Sequence, residues 1–180
     1  SFPIASILPY ESGRLRFRLL RMSDLLDFHS YRSDPEVARL QGWAPMSRAE
    51  AERFVEEHSV IRELTPGCWS QIAVARKDDD LLVGDVGLCL SADSSVAEFG
   101  MTISPSFQGQ GLGSETARGV IELLFQYEEV SRVVAAADAR NTPCLGALRS
   151  AGMKCMKSQE VEYKGEVCHE YVFGVGRFDA

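Results

Sequence analysis

Apolar and polar positions repeat with two different periods along this chain, and the switches between them mark out its elements. Leu15 to Leu20, LRFRLL, alternates apolar and basic residues and predicts a first strand. Ser23 then reads as the N-cap of a helix with Asp24 in its first turn and Leu25, Leu26 and Phe28 as apolar positions, ending near Arg32. Asp34-Pro35-Glu36 starts a second, short helix, with an acidic cap and Pro at the first helical position, and Gly42-Trp43-Ala44-Pro45 breaks it. Ser47 and Glu50 form a capping box for a third helix whose few apolar residues, Ala51, Phe54 and Val55, place it at the surface. Strands follow at Cys68–Ala75, at Leu81–Leu90 and at Val96–Ile103, with Gly84 and Gly87 suggesting bends or bulges in the second. Apolar residues at Ala117, Val120, Ile121 and Leu124 return to helical spacing. Arg132–Ala137 is a further strand, and Leu145, Leu148 and Ala151 mark a last helix stopped by Gly152. Met153–Tyr163 and Val167–Val175 close the chain as a hairpin around Lys164-Gly165-Glu166. The order β α α α β β β α β α β β implies a mixed sheet with helices on both sides, an α/β (α+β layered) domain over residues 1–180.

The stretch from Val96 to Tyr127 carries the most chemistry. Its strand ends at Ser104-Pro105-Ser106, and Gln108-Gly109-Gln110-Gly111-Leu112-Gly113 then leads into the helix. Glycines at a helix entrance clear side chains from an incoming ligand and leave backbone N–H groups at the positive end of the helix dipole, which suits phosphate. A P-loop needs Gly-Lys-Ser/Thr, whereas Gly113 is followed by Ser114-Glu115. A dinucleotide fingerprint needs G-x-G-x-x-G after a first strand, and the spacing here is G-x-G-x-G midway along the chain.

Gln108, Gly111 and Gly113 behind that strand resemble the acyl-CoA pyrophosphate loop of the GNAT superfamily of N-acetyltransferases, and AEFGMTISPSFQGQGLGSETA is similar to its RimJ/RimL branch. A second string supports the likeness: Asp138-x-x-Asn141-x-x-Cys144, followed by Leu148 and Ala151-Gly152-Met153, is similar to the family's Asp-x-x-Asn-x-x-Ser…Leu…Gly-Phe. The two strings stand about 30 residues apart in the family's order, and the likeness runs from about Leu15 to Val175. The resemblance implies a GNAT fold, a mostly antiparallel sheet of about six or seven strands with one parallel step at the cofactor.

Composition leaves this picture intact. The chain has 180 residues, 45% hydrophobic and 25% charged, within the range of a globular domain with a substantial core. Its formal net charge of -7 argues against sequence-independent nucleic-acid binding and is compatible with a cationic substrate. No apolar run reaches a membrane span, since Asp85 interrupts the best one, and the first residues lack the pattern of a signal peptide. Five cysteines without C-x-x-C spacing and three scattered histidines suggest neither a metal site nor a disulfide framework, and reduced thiols in a cytoplasm are the simplest reading.

The resemblance further implies acetyl-CoA as cosubstrate, with no metal, and direct acetyl transfer to an amine. The pyrophosphate would rest on residues Gln108, Gly109, Gln110, Gly111, Leu112 and Gly113 and on Ser114. The pantetheine would pair with the strand edge at Met101, Thr102 and Ile103, and a backbone N–H near Met101 would receive the oxyanion. Gly100 suggests either a bulge that opens the slot or a close packing contact. Asn141 would bond the pantetheine arm, cap the next helix, or both.

Glu98, an acid amid Val, Ala and Phe, is the first candidate base; the alternative is an outward-facing strand glutamate. His29 and His169 are weaker candidates. Many members of the superfamily carry a tyrosine acid where this chain has Leu148, and the RimJ/RimL serine is here Cys144, which reads equally as a proton donor to the CoA thiolate and as packing. Acceptor specificity is expected in the segment from Ser33 to Ser47 and in the turn from Tyr163 to Val167, and Trp43 either stacks on substrate or closes the core. The expected acceptor is a primary amine: a protein N-terminus, which asks less of the base because an α-amine has a pKa near ~8 against ~10.4 for lysine, or a polyamine, amino acid or antibiotic. A homodimer and a non-catalytic acyl-CoA-binding module both stay open.

Overall fold

The computed structural model describes residues 1–179. Eight strands form one sheet: β1 (Tyr10–Glu11), β2 (Leu15–Arg18), β3 (Ser70–Arg76), β4 (Leu82–Leu90), β5 (Val96–Ile103), β6 (Arg132–Asp138), β7 (Lys154–Tyr163) and β8 (Glu166–Gly176). They lie in the order β1-β2-β3-β4-β5-β6-β8-β7. Every neighbouring pair is antiparallel except β5 and β6. The strand beyond the expected six or seven is β1, where the segment ahead of the first predicted strand folds back on Phe17 and Arg16.

Five helices cover the two faces: α1 (Leu25–Arg32), α2 (Pro35–Ala38), α3 (Arg48–Ser59), α4 (Leu112–Leu124) and α5 (Thr142–Ser150). The apolar stripe of α4, Ala117, Val120, Ile121 and Leu124, packs with Leu145 and Leu148 of α5 against Phe17, Val74, Leu88, Phe99, Val133 and Phe173 of the sheet. On the opposite face Leu25, Phe28 and Tyr31 of α1 meet Ala51 and Val55 of α3 over Ala73 and Leu82. Burying apolar area on both faces is what holds a mixed sheet between helix layers.

Three local expectations shift. The first helix is not capped by Ser23. A short 3₁₀ turn spans Met22–Asp24, and the Asp24 carboxylate accepts from the Arg21 backbone N–H at 2.8 Å. Asp24 is needed there because the buried Arg18 donates two bonds to it, at 2.8 and 2.9 Å. With the helix set by that pair, Leu26 points outward and is 72% exposed. The irregularity of β4 lies beside Gly84: the register against β3 slips between Val74 and Ala75, which face Gly84 and Leu82, so Val83 is the extra residue. A Cβ on Gly84 would stand 2.2 Å from the Thr102 carbonyl oxygen, so only glycine keeps β4 and β5 together there. Gly87 causes no irregularity; a Cβ there would lie 3.2 Å from the Trp69 ring.

Asp85, which reads in the sequence only as a break in an apolar run, anchors a buried polar network. It is fully buried, and Arg32 Nη2 and Gln71 Nε2 donate to it at 2.7 and 2.6 Å, together with the Tyr31 hydroxyl. Burial first, then the charge of Asp85, push the Tyr31 phenol well above its ordinary value. The Arg32 guanidinium in turn lies 4.2 Å from the Trp43 ring, which ties the loop after α2 to the sheet. Asp85→Ala would strand a buried guanidinium, so it should cost about 3–5 kcal/mol. Urea unfolding should show this as a lower midpoint at unchanged slope.

Candidate active site

β5 and β6 pair over only three residues, Val96↔Arg132, Ala97↔Val133 and Glu98↔Val134. Beyond Glu98 they part. β5 stays with β4 as far as Ile103, and β6 stays with β8 as far as Asp138. Ser104 N–H donates to the Val83 carbonyl at 2.8 Å, so backbone groups at even positions of this stretch face β4. By strand alternation those of Met101 and Ile103 face the gap. The β4–β5 register runs unbroken through Gly87↔Gly100, so Gly100 is not a bulge. Nor is it a close contact, because a Cβ there would have nothing within 4 Å. The strands separate while each keeps its other partner, and Gly100 leaves the opening clear.

Two cavities occupy this opening. One, of about 330 Å³, is lined by Met101, Ile103, Gln108, Gly109, Gly111, Leu112, Gly113 and Ser114 among others. The other, of about 270 Å³, lies beside Glu98, Gly100, Trp69, Ala136, Tyr163 and Glu170. Gln41, Met101, Asn141 and Cys144 line both, so the cavities are two ends of one slot.

At the first end, Gly109 and Gly111 hold φ of 77° and 78°, the left-handed region that favours glycine. Gly111 caps α4 with no side-chain acceptor, which leaves the first N–H groups of the helix directed at the cavity. Gln108 Nε2 donates to the Ile103 carbonyl at 3.0 Å and pins the loop to the strand. Gln110 lies outside the lining, and its carbonyl accepts from Arg14 Nη1 at 2.8 Å. Arg14 is held by Glu115, through Nε at 2.7 Å and its backbone N–H at 2.7 Å, and Ser12 also donates to Glu115. Burial works against the Glu115 charge, but the bonds from Ser12 and Arg14 outweigh it and hold the carboxyl below its ordinary range. This brace was missed in the sequence, where an arginine about 100 residues from the loop gives no signal. The fit to a pyrophosphate is positive: clear space over Gly109, unclaimed helix N–H groups and an unpaired strand edge leading away from them.

At the second end, Glu98 is half-buried and accepts no hydrogen bond among the described residues. Burial, and then the charge of Glu170, raise its pKa above the ordinary carboxylate value. Asn141 sits where the cavities join; its Oδ1 caps α5 by accepting from Cys144 N–H at 3.3 Å, and its amide nitrogen is left for another partner. Burial pushes the Cys144 thiol up to about 11, opposite to the effect of a helix N-terminus, so it is a weak acid at neutral pH. Trp43 lies outside both linings, with Nε1 donating to Thr102 Oγ1 at 3.2 Å. Thr102 is itself buried against that indole, and His29 and His169 line neither cavity. Tyr163, at the edge of the expected turn, and Gln41, in the expected segment after α1, stand on the walls, and residues that only the structure adds there are Trp69 and Glu170. The Tyr163 hydroxyl donates to the Gln41 carbonyl, and Lys164 Nζ donates to that of Ala38 at 2.8 Å, which straps the hairpin to the loop after α2.

Gly100→Val places methyl groups in open space, so the melting temperature should stay within a few degrees of wild type. The same methyl groups narrow the slot, so kcat/KM for acetyl transfer should fall at least about 10-fold, or ~1.4 kcal/mol. A thermal melt beside a thiol-release assay checks both.

The chain matches the model of the acetyltransferase (GNAT) domain over residues 14–154. It is 23% identical over 141 residues to the uncharacterized N-acetyltransferase YnaD of Bacillus subtilis (strain 168), covering 78% of this chain and 79% of that protein. Among solved structures, a GNAT-family acetyltransferase from Bacillus anthracis superposes with a TM-score of 0.84 at 19% identity, covering 94% of this chain and 99% of that one. A putative ribosomal-protein-serine acetyltransferase from Vibrio cholerae gives 0.75 at 22% identity, covering 93% and 96%. With the family's domain spanning most of the chain and a slot that fits its cosubstrate, this protein belongs to the GNAT family and is an acetyl-CoA-dependent N-acetyltransferase.

Proposed function

We propose that this chain, as a single RimJ/RimL-like domain, transfers acetyl from acetyl-CoA directly to a small primary amine, with Glu98 as the base. One observation carries the reading: the cofactor end and the acceptor end meet at Met101, Asn141 and Cys144, and Glu98 stands just beyond on the same strand. Acetyl-CoA supplies the activated acyl group. Its pyrophosphate would lie on residues 109–114 and its pantetheine along Met101 and Ile103, where Asn141 has an amide to offer.

An amine enters as ammonium and cannot attack until it loses a proton. Glu98 takes that proton, directly or through water, and its raised proton affinity brings it closer to the task. The nitrogen then forms its bond to the acyl carbon as the carbon–sulfur bond breaks. A backbone N–H at Met101, free of ladder partners, is placed for the developing oxyanion. The second proton leaves the nitrogen and ends on the CoA sulfur. Cys144, with its thiol pushed up to about 11, suits packing at this junction better than proton donation.

Of the two acceptor classes that the sequence leaves open, a protein N-terminus and a small amine, the cavity favours the second. It holds about 270 Å³, and the strap from Tyr163 and Lys164 to the loop after α2 bounds it on one side.

Glu98→Gln should lower kcat about 100-fold or more, with KM for acetyl-CoA unchanged. Wild-type kcat should fall as pH drops through the Glu98 pKa, above the ordinary carboxylate range, because only the ionised form accepts a proton. The residual activity of the variant should lack that acid limb. Thiol release across pH in both proteins checks it; an identical limb in the variant would remove Glu98 from the role.

A further inference from the structure

The acceptor end holds three carboxylates, and only one is balanced. Asp138 pairs with Arg140 at 2.9 Å. Glu98 and Glu170 form no ion pair among the described residues. The one guanidinium among the lining residues, that of Arg39, lies 3.8 Å from Glu36. Glu170 is held in place by Gln159, whose Nε2 donates to Oε1 at 2.6 Å, and its second oxygen accepts no hydrogen bond among the described residues. Register puts the two acids on one face of the sheet: Glu98 faces Val134, Val134 faces Gly174, and Glu170 lies an even number of residues from Gly174. β6 lies between their strands, and Glu98 is level with Val134 while Glu170 is level with Asp138, so their backbones are roughly 10 Å apart across the sheet and roughly 13 Å apart along it; both side chains line one cavity.

The two charges have different fates during transfer. Glu98 is neutralised when it takes the proton of the reacting ammonium, and the amide product is neutral as well. Glu170 keeps its charge throughout. An acceptor that fills the cavity strips water from that carboxylate, and a monoamine offers nothing in return once its nitrogen has become an amide.

We propose that Glu170 is a specificity-determining residue that reads a second positive charge on the acceptor, so that the preferred substrate is a short diamine with one amine at Glu98 and the other at Glu170. This rests on the reading of Glu98 as the base and of the acceptor as a small amine. Four or five methylenes between the nitrogens, with a hydrogen bond at each end and the reach of both glutamate side chains, suit two carboxylates that line one cavity from strands two spacings apart.

The test compares 1,4-diaminobutane with n-butylamine, which differ by one ammonium group, in wild type, Glu170→Gln and Glu98→Gln. Wild type should favour the diamine in kcat/KM by about 10- to 100-fold, the worth of one hydrogen-bonded charge contact. Glu170→Gln should bring that preference within about 3-fold, by raising KM for the diamine and relieving n-butylamine of the desolvated charge; any change it makes in the proton affinity of Glu98 acts on both amines and cancels in the ratio. It keeps an acceptor for Gln159, and an unaltered melting temperature in that variant would separate recognition from folding. Glu98→Gln should lower kcat for both amines and preserve their ratio. A wild-type preference that survives Glu170→Gln overturns the proposal, as does equal use of both amines by wild type. If wild type binds acetyl-CoA yet acetylates neither amine, the small-amine reading fails and the proposal falls with it.

Discussion

The feature on which the site depends is the parting of two neighbouring strands. β5 stays paired with β4 through one edge as far as Ile103, and β6 stays paired with β8 as far as Asp138, while the edges that face each other diverge. The parallel ladder between β5 and β6 therefore stops after three pairs. Elsewhere in a sheet an unpaired edge this deep would be a liability, with backbone groups left without partners. Here it produces a slot whose wall is a row of unused strand positions, and an amide-bearing chain such as pantetheine is the kind of ligand that can complete it.

The surroundings make that slot usable by fixing its two ends independently. The glycine loop is held from the α4 side, by Gln108 on Ile103 and by Arg14 between Glu115 and the Gln110 carbonyl. The acceptor wall is held from the opposite face, where Asp85 fixes Arg32, Arg32 lies on Trp43, and Trp43 bonds Thr102 on β5. Neither brace touches the other, and both end on β5. The carboxylates are sorted in the same way. Glu115 and Asp85 are enclosed by donors, whereas Glu98 stands half-buried without one. A carboxylate surrounded by hydrogen bonds stabilises structure; one that is desolvated and unpaired is suited to hold a proton.

The parts of this design that depend on local pattern were legible in the sequence. Period-two and period-three-to-four repeats placed the strands and helices, and the glycines at 109, 111 and 113 and Asn141 pointed to residues that line the slot. The parts that depend on contacts between distant residues were not. Asp85 reads as a flaw in a strand until Arg32, Tyr31 and Gln71 are brought around it. Gly100 invites a bulge, but its register is regular and its purpose is empty space, which no pattern encodes. Ser23 has the composition of a cap, yet the buried Arg18 claims Asp24 and moves the helix start. The turn that begins at Tyr163 was expected at the acceptor, but Glu170 sits in a strand that reads as ordinary edge structure, and only the packing of that hairpin against the loop after α2 puts it beside the same cavity.

Amide hydrogen exchange read residue by residue by NMR, with and without acetyl-CoA, tests the central claim that the split strand edge is the acyl-CoA seat. Binding should slow exchange at Met101 and Ile103 and at the glycine-loop amides from Gly109 to Ser114, while even-numbered β5 amides, already bonded to β4, change little. Protection confined to other parts of the sheet, or none at millimolar acetyl-CoA, would contradict it.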